Sequence, residues 1–264
     1  MSTISASTTT TTAYVVTADT TGTLVIQTGA TPTTALTLSS AQLMTLPNDA
    51  SISGLTVGKG GGALSTNTAL GKSALNATAT GGYNTGVGSS SLSANTSGVQ
   101  NSALGESSLG SNTTGGFNSA VGQNALAINS TGSYNTGLGS YALFFNTTAS
   151  QNTAVGYQSA YTNTTGTAIT AVGFTALKFN TTGGNLTAVG YEALYSNTTG
   201  AYNSSVGVDA LYYNTTGNYN TALGHNALIN NTTADYNTAV GQRSLQGNTT
   251  GTQNTGIGVS SLIA

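Results

Sequence analysis

The sequence predicts an all-β chain built as a solenoid of stacked coils, and three observations carry that prediction. From Asn67 to Ala264 a unit of 17 residues recurs without insertion or deletion, and a fixed period of this kind marks a solenoid, a propeller or an array. Within each unit a short stretch alternates polar and apolar residues, the period of a strand with one covered face. Charged residues make up only 4% of the chain and the net charge is −2. That removes both the charged surface of an ordinary globular domain and the high net charge that keeps a chain disordered.

Counted from Asn67, Asn84 and so on, the unit reads N-[TS]-[AG]-[VL]-G-x-x-[AS]-L-x-x-N-T-T-G-x-x, with eleven full units and a partial twelfth. The second to fourth positions, as in Thr153 to Val155, predict one short strand per unit. The fourth is aliphatic in every unit and is expected to face inward. Glycine at the fifth position suits a corner. The eighth position is Ala or Ser, and the ninth is Leu everywhere except at Ala160, so a second segment also turns an apolar side inward, as a strand or as a single helical turn. Asn-Thr-Thr-Gly is expected to close the coil, because Asn and Gly accept left-handed backbone. Asn at the twelfth position, present from Asn95 to Asn248 and replaced only by Thr78, is placed to form an amide ladder up the stack. The aliphatic spacing suits a flattened, two-sided roll. Eleven coils at roughly 4.8 Å make a thin-cored rod about 50 to 55 Å long.

Residues 1–50 are expected to form a separate, small β-rich segment, from Ala13-Tyr-Val-Val-Thr, Gly22-Thr-Leu-Val-Ile-Gln-Thr and Ala35-Leu-Thr-Leu-Ser. Residues 51–66 form a glycine-rich joint, and residues 67–264 form the array.

Several function classes drop out on composition. The four cations Lys59, Lys72, Lys178 and Arg243 are scattered, which leaves no footprint for nucleic acid or for an anionic membrane surface. No cysteine is present, so disulfides and thiolate metal sites are absent. No apolar run is long enough to span a membrane, and the N-terminus lacks the pattern of a secretion signal. Gly54 to Gly60 has one residue too few for a phosphate-binding loop. His225 is the only histidine and has no Asp or Cys column beside it, so one chain builds neither a triad nor a zinc site. Glu192 and Asp209 occupy the seventh position of successive units, about 5 Å apart if the coils stack in register, a separation used by retaining glycosidases. Asn226 and Arg243 continue that column, which reads as solvated decoration. No catalytic residue, metal or cofactor is assigned, and no enzymatic activity is expected. Asn-Thr-Thr also matches the N-glycosylation acceptor pattern, although a capped turn calls for the same triplet.

All the aromatic residues except Tyr14 lie in the array, and they crowd between Tyr134 and Tyr236. The sixth position carries Tyr157, Phe174 and Tyr191 in consecutive units. The tenth carries Phe144, Tyr161, Tyr195 and Tyr212, with Lys178 interrupting. Tyr157, Tyr161, Tyr191, Tyr195 and Tyr212 are therefore the candidate site, either stacking sugars or packing between chains and adjacent coils.

Asn-Thr-Ala-Val-Gly and its variants, followed by Ala-Leu-x-x-Asn-Thr-Thr-Gly, resemble the head repeats of trimeric autotransporter adhesins and the similar arrays in bacteriophage tail fibres. The resemblance covers about three quarters of the chain. It implies left-handed parallel β-rolls assembled as a homotrimer, intertwined or side by side. The apolar segments of residues 1–50 are similar to the N-terminal regions of phage fibres. The resemblance therefore favours a virion fibre or fibre shaft, held by other virion proteins through residues 1–50 and projecting toward a host-surface glycan or protein. An adhesin of the bacterial type calls for a signal peptide and a C-terminal membrane anchor, and neither pattern is in this sequence. Two alternatives stay open: a dedicated glycan-binding adhesin that uses the aromatic columns, and an ice-binding solenoid that uses the threonine columns at the thirteenth and fourteenth positions.

Overall fold

The computed structural model describes residues 15–18, 24–28, 33–38, 44–45, 50–52, 55–77 and 79–263. The Ser/Thr-rich stretch before residue 13, Thr78 and Ala264 lie outside the described residues. The chain divides into two compact units, Met1–Ser51 and Ile52–Ala264, and among the described residues there is no helix.

In the first unit β1 (Val15–Ala18), β2 (Leu24–Thr28), β3 (Thr33–Leu38) and β4 (Met44–Thr45) form an antiparallel sheet in chain order. The first three strands fall on the three apolar segments read from the sequence. The β2–β3 register shifts between Ile26 and Gln27.

The second unit is a parallel β-solenoid. Twelve strands, from β7 (Thr68–Leu70) to β18 (Thr255–Ile257), stack in one sheet, each paired parallel with the strand one unit on. The pairing keeps the 17-residue register throughout, for example Thr136 opposite Thr153 and Leu138 opposite Val155. At its N-terminal end β6 (Leu55–Gly58) pairs antiparallel with β7, and β5 (Ala50–Ile52) is next in the sheet order. Part of the glycine-rich joint is therefore a strand of the sheet, and the Gly61 N–H also bonds to the Leu75 carbonyl, at 2.8 Å.

Beyond its strand, a coil is almost wholly turns, and its backbone groups bond to neighbouring coils. The N–H groups of the second, ninth and eleventh positions bond forward to the next coil, as Thr85 to Asn101 (2.8 Å), Leu92 to Ser108 (3.1 Å) and Ala94 to Gly110 (3.1 Å). Those of the fifth, seventh and seventeenth bond backward, as Gly105 to Val87 (2.8 Å), Ser107 to Ser89 (2.8 Å) and Phe117 to Val99 (2.9 Å). The segment around the ninth position is neither a strand nor a helical turn. It is two consecutive β-turns, closed by Ala142 N–H to Gly139 (3.2 Å) and Asn146 N–H to Leu143 (3.1 Å). The first has positive φ at its third residue, Tyr141, the pattern of a type II turn.

Left-handed backbone is not where the sequence suggested. It falls on the seventh, ninth and seventeenth positions, which carry no glycine, as at Gln158, Ala160 and Ala168. The fifth-position glycines also have positive φ, +130° at Gly156. The turn glycines of Asn-Thr-Thr-Gly are needed for space instead. A Cβ on Gly183 would collide with the Gly200 carbonyl of the next coil and with the Asn180 side chain.

One expectation about the core is reversed. The fourth-position aliphatics face outward, with Leu104 51% and Leu138 45% exposed, whereas Leu109 and Leu143 at the ninth position are fully buried. The reason lies at the first position. Its asparagine is buried, because its Oδ1 accepts the backbone N–H of the next coil's first residue and its Nδ2 donates to a turn carbonyl. Asn118 Oδ1 accepts from Asn135 N–H at 2.9 Å, and Asn118 Nδ2 reaches the Gly132 carbonyl at 2.8 Å. With the first position pointing in, alternation sends the third inward and the fourth outward. The third is Ala, Gly or Ser because the ninth-position leucine fills the space behind it: a Cβ on Gly137 would lie 3.4 Å from Leu126 Cγ.

Candidate functional site

Inside the stack, asparagine does the work usually left to apolar residues. From Asn112 onward each twelfth-position Nδ2 donates to the Oδ1 of the preceding coil, at 2.8 Å from Asn180 to Asn163 and from Asn197 to Asn180, and to its own turn carbonyl, at 2.9 Å from Asn180 to Gly183. Both amide protons are thereby used. Asn146, Asn163, Asn180, Asn197 and Asn214 are fully buried, so these five glycosylation-type triplets offer no reachable amide in the folded coil, whereas Asn248 in the last full unit is partly exposed. Threonine at the thirteenth position is also tied into the stack. Thr181 Oγ1 donates to the Thr198 carbonyl at 2.9 Å, and Thr198 Oγ1 to Thr215 at 3.0 Å.

The candidate tyrosines lie on the outer side of the double turn, in columns that touch one another. At the sixth position Tyr157, Phe174 and Tyr191 stack with centroids 5.5 and 5.6 Å apart. At the tenth, Phe144 stacks on Tyr161 at 5.5 Å and Tyr195 on Tyr212 at 4.9 Å, with planes within 17° and 9°. Lys178 fills the gap, its Nζ 5.4 Å from the Phe179 ring centre and 5.8 Å from that of Tyr195. Tyr141, at the seventh position, bridges the two columns, 6.4 Å from Tyr157 and 6.2 Å from Tyr161. Tyr157, Tyr161 and Tyr191 thus belong to one connected set of rings and Tyr195 and Tyr212 to a second, beside Lys178, and their flat faces are turned toward the coils above and below.

Two further aromatic sets lie outside that candidate list. At the seventeenth position Phe117 stacks on Tyr134, and Tyr202, Tyr219 and Tyr236 form a second stack, with centroids 4.8 to 5.0 Å apart. At the eleventh, Phe145, Phe179 and Tyr213 stand across the tenth-position rings. The interplanar angles are 85° for Phe145 with Phe144, 88° for Phe179 with Tyr195 and 76° for Tyr213 with Tyr212. Aligning the units by their glycines brings the seventeenth-position runs out in the sequence, whereas the eleventh-position rings fall in every second unit and form no run.

No protein-family model matches this chain, and no curated protein or solved structure shows a significant match to it.

The charged groups sit beside the aromatic columns. Glu192 and Asp209 occupy the seventh position of successive coils, both with positive φ. A hydrogen bond from the Tyr191 phenol to the Glu192 carboxylate, and then the Glu192 charge, holds that phenol above the usual tyrosine range. Burial, followed by the Glu192 charge, does the same at Tyr212. Asp209 Oδ1 and Asn226 Oδ1 are enclosed without a hydrogen-bond partner. His225 Nδ1 lies 3.5 Å from Gln242 Nε2, and no cluster of three metal-capable side chains occurs among the described residues. Nor is any helix of those residues long and apolar enough to cross a membrane.

Proposed function

We propose that this chain is a structural fibre element. Three copies associate through the outward aliphatic column into a stiff shaft on a bacteriophage particle, with residues 1–50 bound to other virion proteins and the array directed at the host surface. The observation that supports this reading is the fourth position. It is aliphatic in all twelve units, yet it points away from the core on a sheet whose strands are in register. The coil itself does not require this, because threonine keeps the same strand propensity at an exposed site. Covering a half-exposed Leu or Val recovers on the order of 1 kcal/mol, so the column contributes on the order of 10 kcal/mol per chain. The stripe is one residue wide, between a Thr/Ser column and the corner glycines. Three such stripes meeting on a threefold axis cover one another more fully than two laid face to face. No reaction is assigned. The role is mechanical, and its stiffness comes from the unbroken register.

Native mass spectrometry tests the association. The intact chain is expected as a trimer, and Val121→Asn with Leu138→Asn as a monomer whose circular dichroism is unchanged. A monomeric parent protein overturns the association. Immunogold labelling of purified particles tests the location, and unlabelled particles overturn it. A second reading rests on the same face. Thr or Ser at the second position and an aliphatic at the fourth form a flat, repeating grid without charge, the kind of surface that orders ice. It suits a monomer, and thermal hysteresis is its readout. The thirteenth-position hydroxyls are less suited, because they donate along the stack.

A further inference from the structure

The eleventh position carries a pattern that the coil does not need. Through five consecutive units it reads Phe145, Thr162, Phe179, Ser196 and Tyr213, large and small in alternation, whereas in the units before and after it holds Ala, Ser, Ile, Asn or Gly. Phe145, Phe179 and Tyr213 are all exposed. The tenth-position rings spend their faces on each other, so they meet the eleventh-position rings edge-on, at 76° to 88°. The eleventh-position rings keep part of their surface open to solvent, 37% for Phe145, 41% for Phe179 and 50% for Tyr213. Coils repeat at about 4.8 Å, so these exposed rings recur every two coils, at about 10 Å.

We infer that Phe145, Phe179 and Tyr213 form a linear binding track for an extended β-1,4-linked polysaccharide lying along the stack. In such a ribbon successive sugars turn over, so the same pyranose face returns once per disaccharide, a distance close to the two-coil step. Apolar sugar faces stack on aromatic flats, while the equatorial hydroxyls point sideways. On one side they meet the thirteenth-position threonines, whose Oγ1 atoms donate along the stack and keep lone pairs for a sugar hydroxyl. On the other stand the Lys178 ammonium and the tenth-position tyrosines. Stacking along one continuous column would fill every coil. The alternation with Thr162 and Ser196 is what a ligand of two-coil period requires. The track lies beyond the glycine corner from the fourth position, so it does not depend on the proposed trimer.

The test uses the full chain. It measures sedimentation with microcrystalline cellulose and with chitin, and calorimetry with cellohexaose and chitohexaose, two sources of the same linkage. Amylose and a β-1,3-glucan serve as controls. Retention on at least one β-1,4-linked polymer is expected. Phe179→Ala should weaken it tenfold or more, Phe179→Tyr should preserve it, and Ser196→Tyr, which crowds the gap between two rings, should weaken it with the coil intact by circular dichroism. No retention of the parent chain overturns the inference. So do undiminished binding by Phe179→Ala and equal binding of the control glucans. A fall in native mass on Phe179→Ala would instead assign the track to contact between copies and would also overturn it. Native mass is read separately, so failure here leaves the fibre proposal standing or falling on its own measurement.

Discussion

At the residue scale the two asparagine columns look alike but are held differently. A twelfth-position amide bonds to the amides above and below it, so replacing one breaks the ladder on both sides. In Asn180→Ala, Asn163 Oδ1, the Gly183 carbonyl and Asn197 Nδ2 each lose a partner. A buried unsatisfied group costs about 1 to 3 kcal/mol, so a loss of several kcal/mol is expected in denaturant unfolding. A first-position asparagine bonds mainly to backbone, and the chain itself replaces it with the buried Ile169 and Leu186. There the strands β13 (Ile169–Val172) and β14 (Leu186–Val189) lengthen by one residue and pair Ile169 with Leu186. Asn135→Leu is therefore expected to cost clearly less than Asn180→Ala. Tyr191 offers a further check, with a defined sign. Glu192 raises its pKa in the folded state, so the neutral phenol is favoured there. The resulting stabilisation is complete below the ordinary tyrosine pKa of about 10 and is lost as pH rises through the raised value. In Glu192→Gln, phenolate absorbance of Tyr191 should appear at lower pH than in the parent chain, and an unchanged titration would remove Glu192 as the cause.

At the scale of the coil, the main cost is backbone strain. Each coil holds three non-glycine residues in left-handed backbone, at roughly 1 to 2 kcal/mol apiece, and its few internal hydrogen bonds do not offset that. Bonds to the next coil do, so the coil is stable only in a stack. The fifth-position glycine is where this dependence is sharpest. At Gly156 φ is +130°, and a Cβ would be driven into the Gly173 carbonyl of the next coil. Gly156→Ala is expected to lower stability by more than the roughly 1 to 2 kcal/mol that a side chain costs in left-handed backbone, because two coils must also separate. Thermal unfolding should show it as a drop of many degrees, and an unchanged midpoint would show that the coils can shift to admit a methyl group. The same unit shows what was legible in advance. The period, the single strand, the buried ninth-position leucine and the twelfth-position ladder were readable, because each is a column whose residue type fits only one place. The direction of the fourth position was not. Alternation has two phases, and the one realised was chosen by Asn at the first position, a polar residue drawn inward by unpaired backbone. Nor were the left-handed seventh and ninth positions, since Gln158 and Leu177 carry no mark of that conformation. Of the aromatic surface, the sixth column was visible as a continuous run and the tenth as a run broken once, by Lys178. The eleventh was hidden because its rings occupy every second coil.

At the scale of the whole solenoid, the register is the property on which everything else depends. The backbone hydrogen bonds between coils of the array join residues 15 to 18 apart, and all the columns, buried or exposed, share the one 17-residue period. Length should therefore be adjustable in whole units and in nothing smaller. Deleting one complete unit, residues 118–134, joins Phe117 to Asn135 in the same phase, so each asparagine, leucine and glycine meets its own kind in the next coil. Deleting only residues 118–126 moves every later residue about half a turn, which faces the turn glycines against strands and drives side chains into carbonyls. The full-unit deletion is expected to keep a β-rich circular dichroism spectrum and to unfold cooperatively a few degrees below the parent, since stability in such arrays is close to a sum of coil and interface contributions. The partial deletion should lose cooperativity or split the transition in two, because the stacks on either side of the cut no longer match. Equal behaviour of the two deletions would mean that local propensity, and not the shared register, holds the coils together.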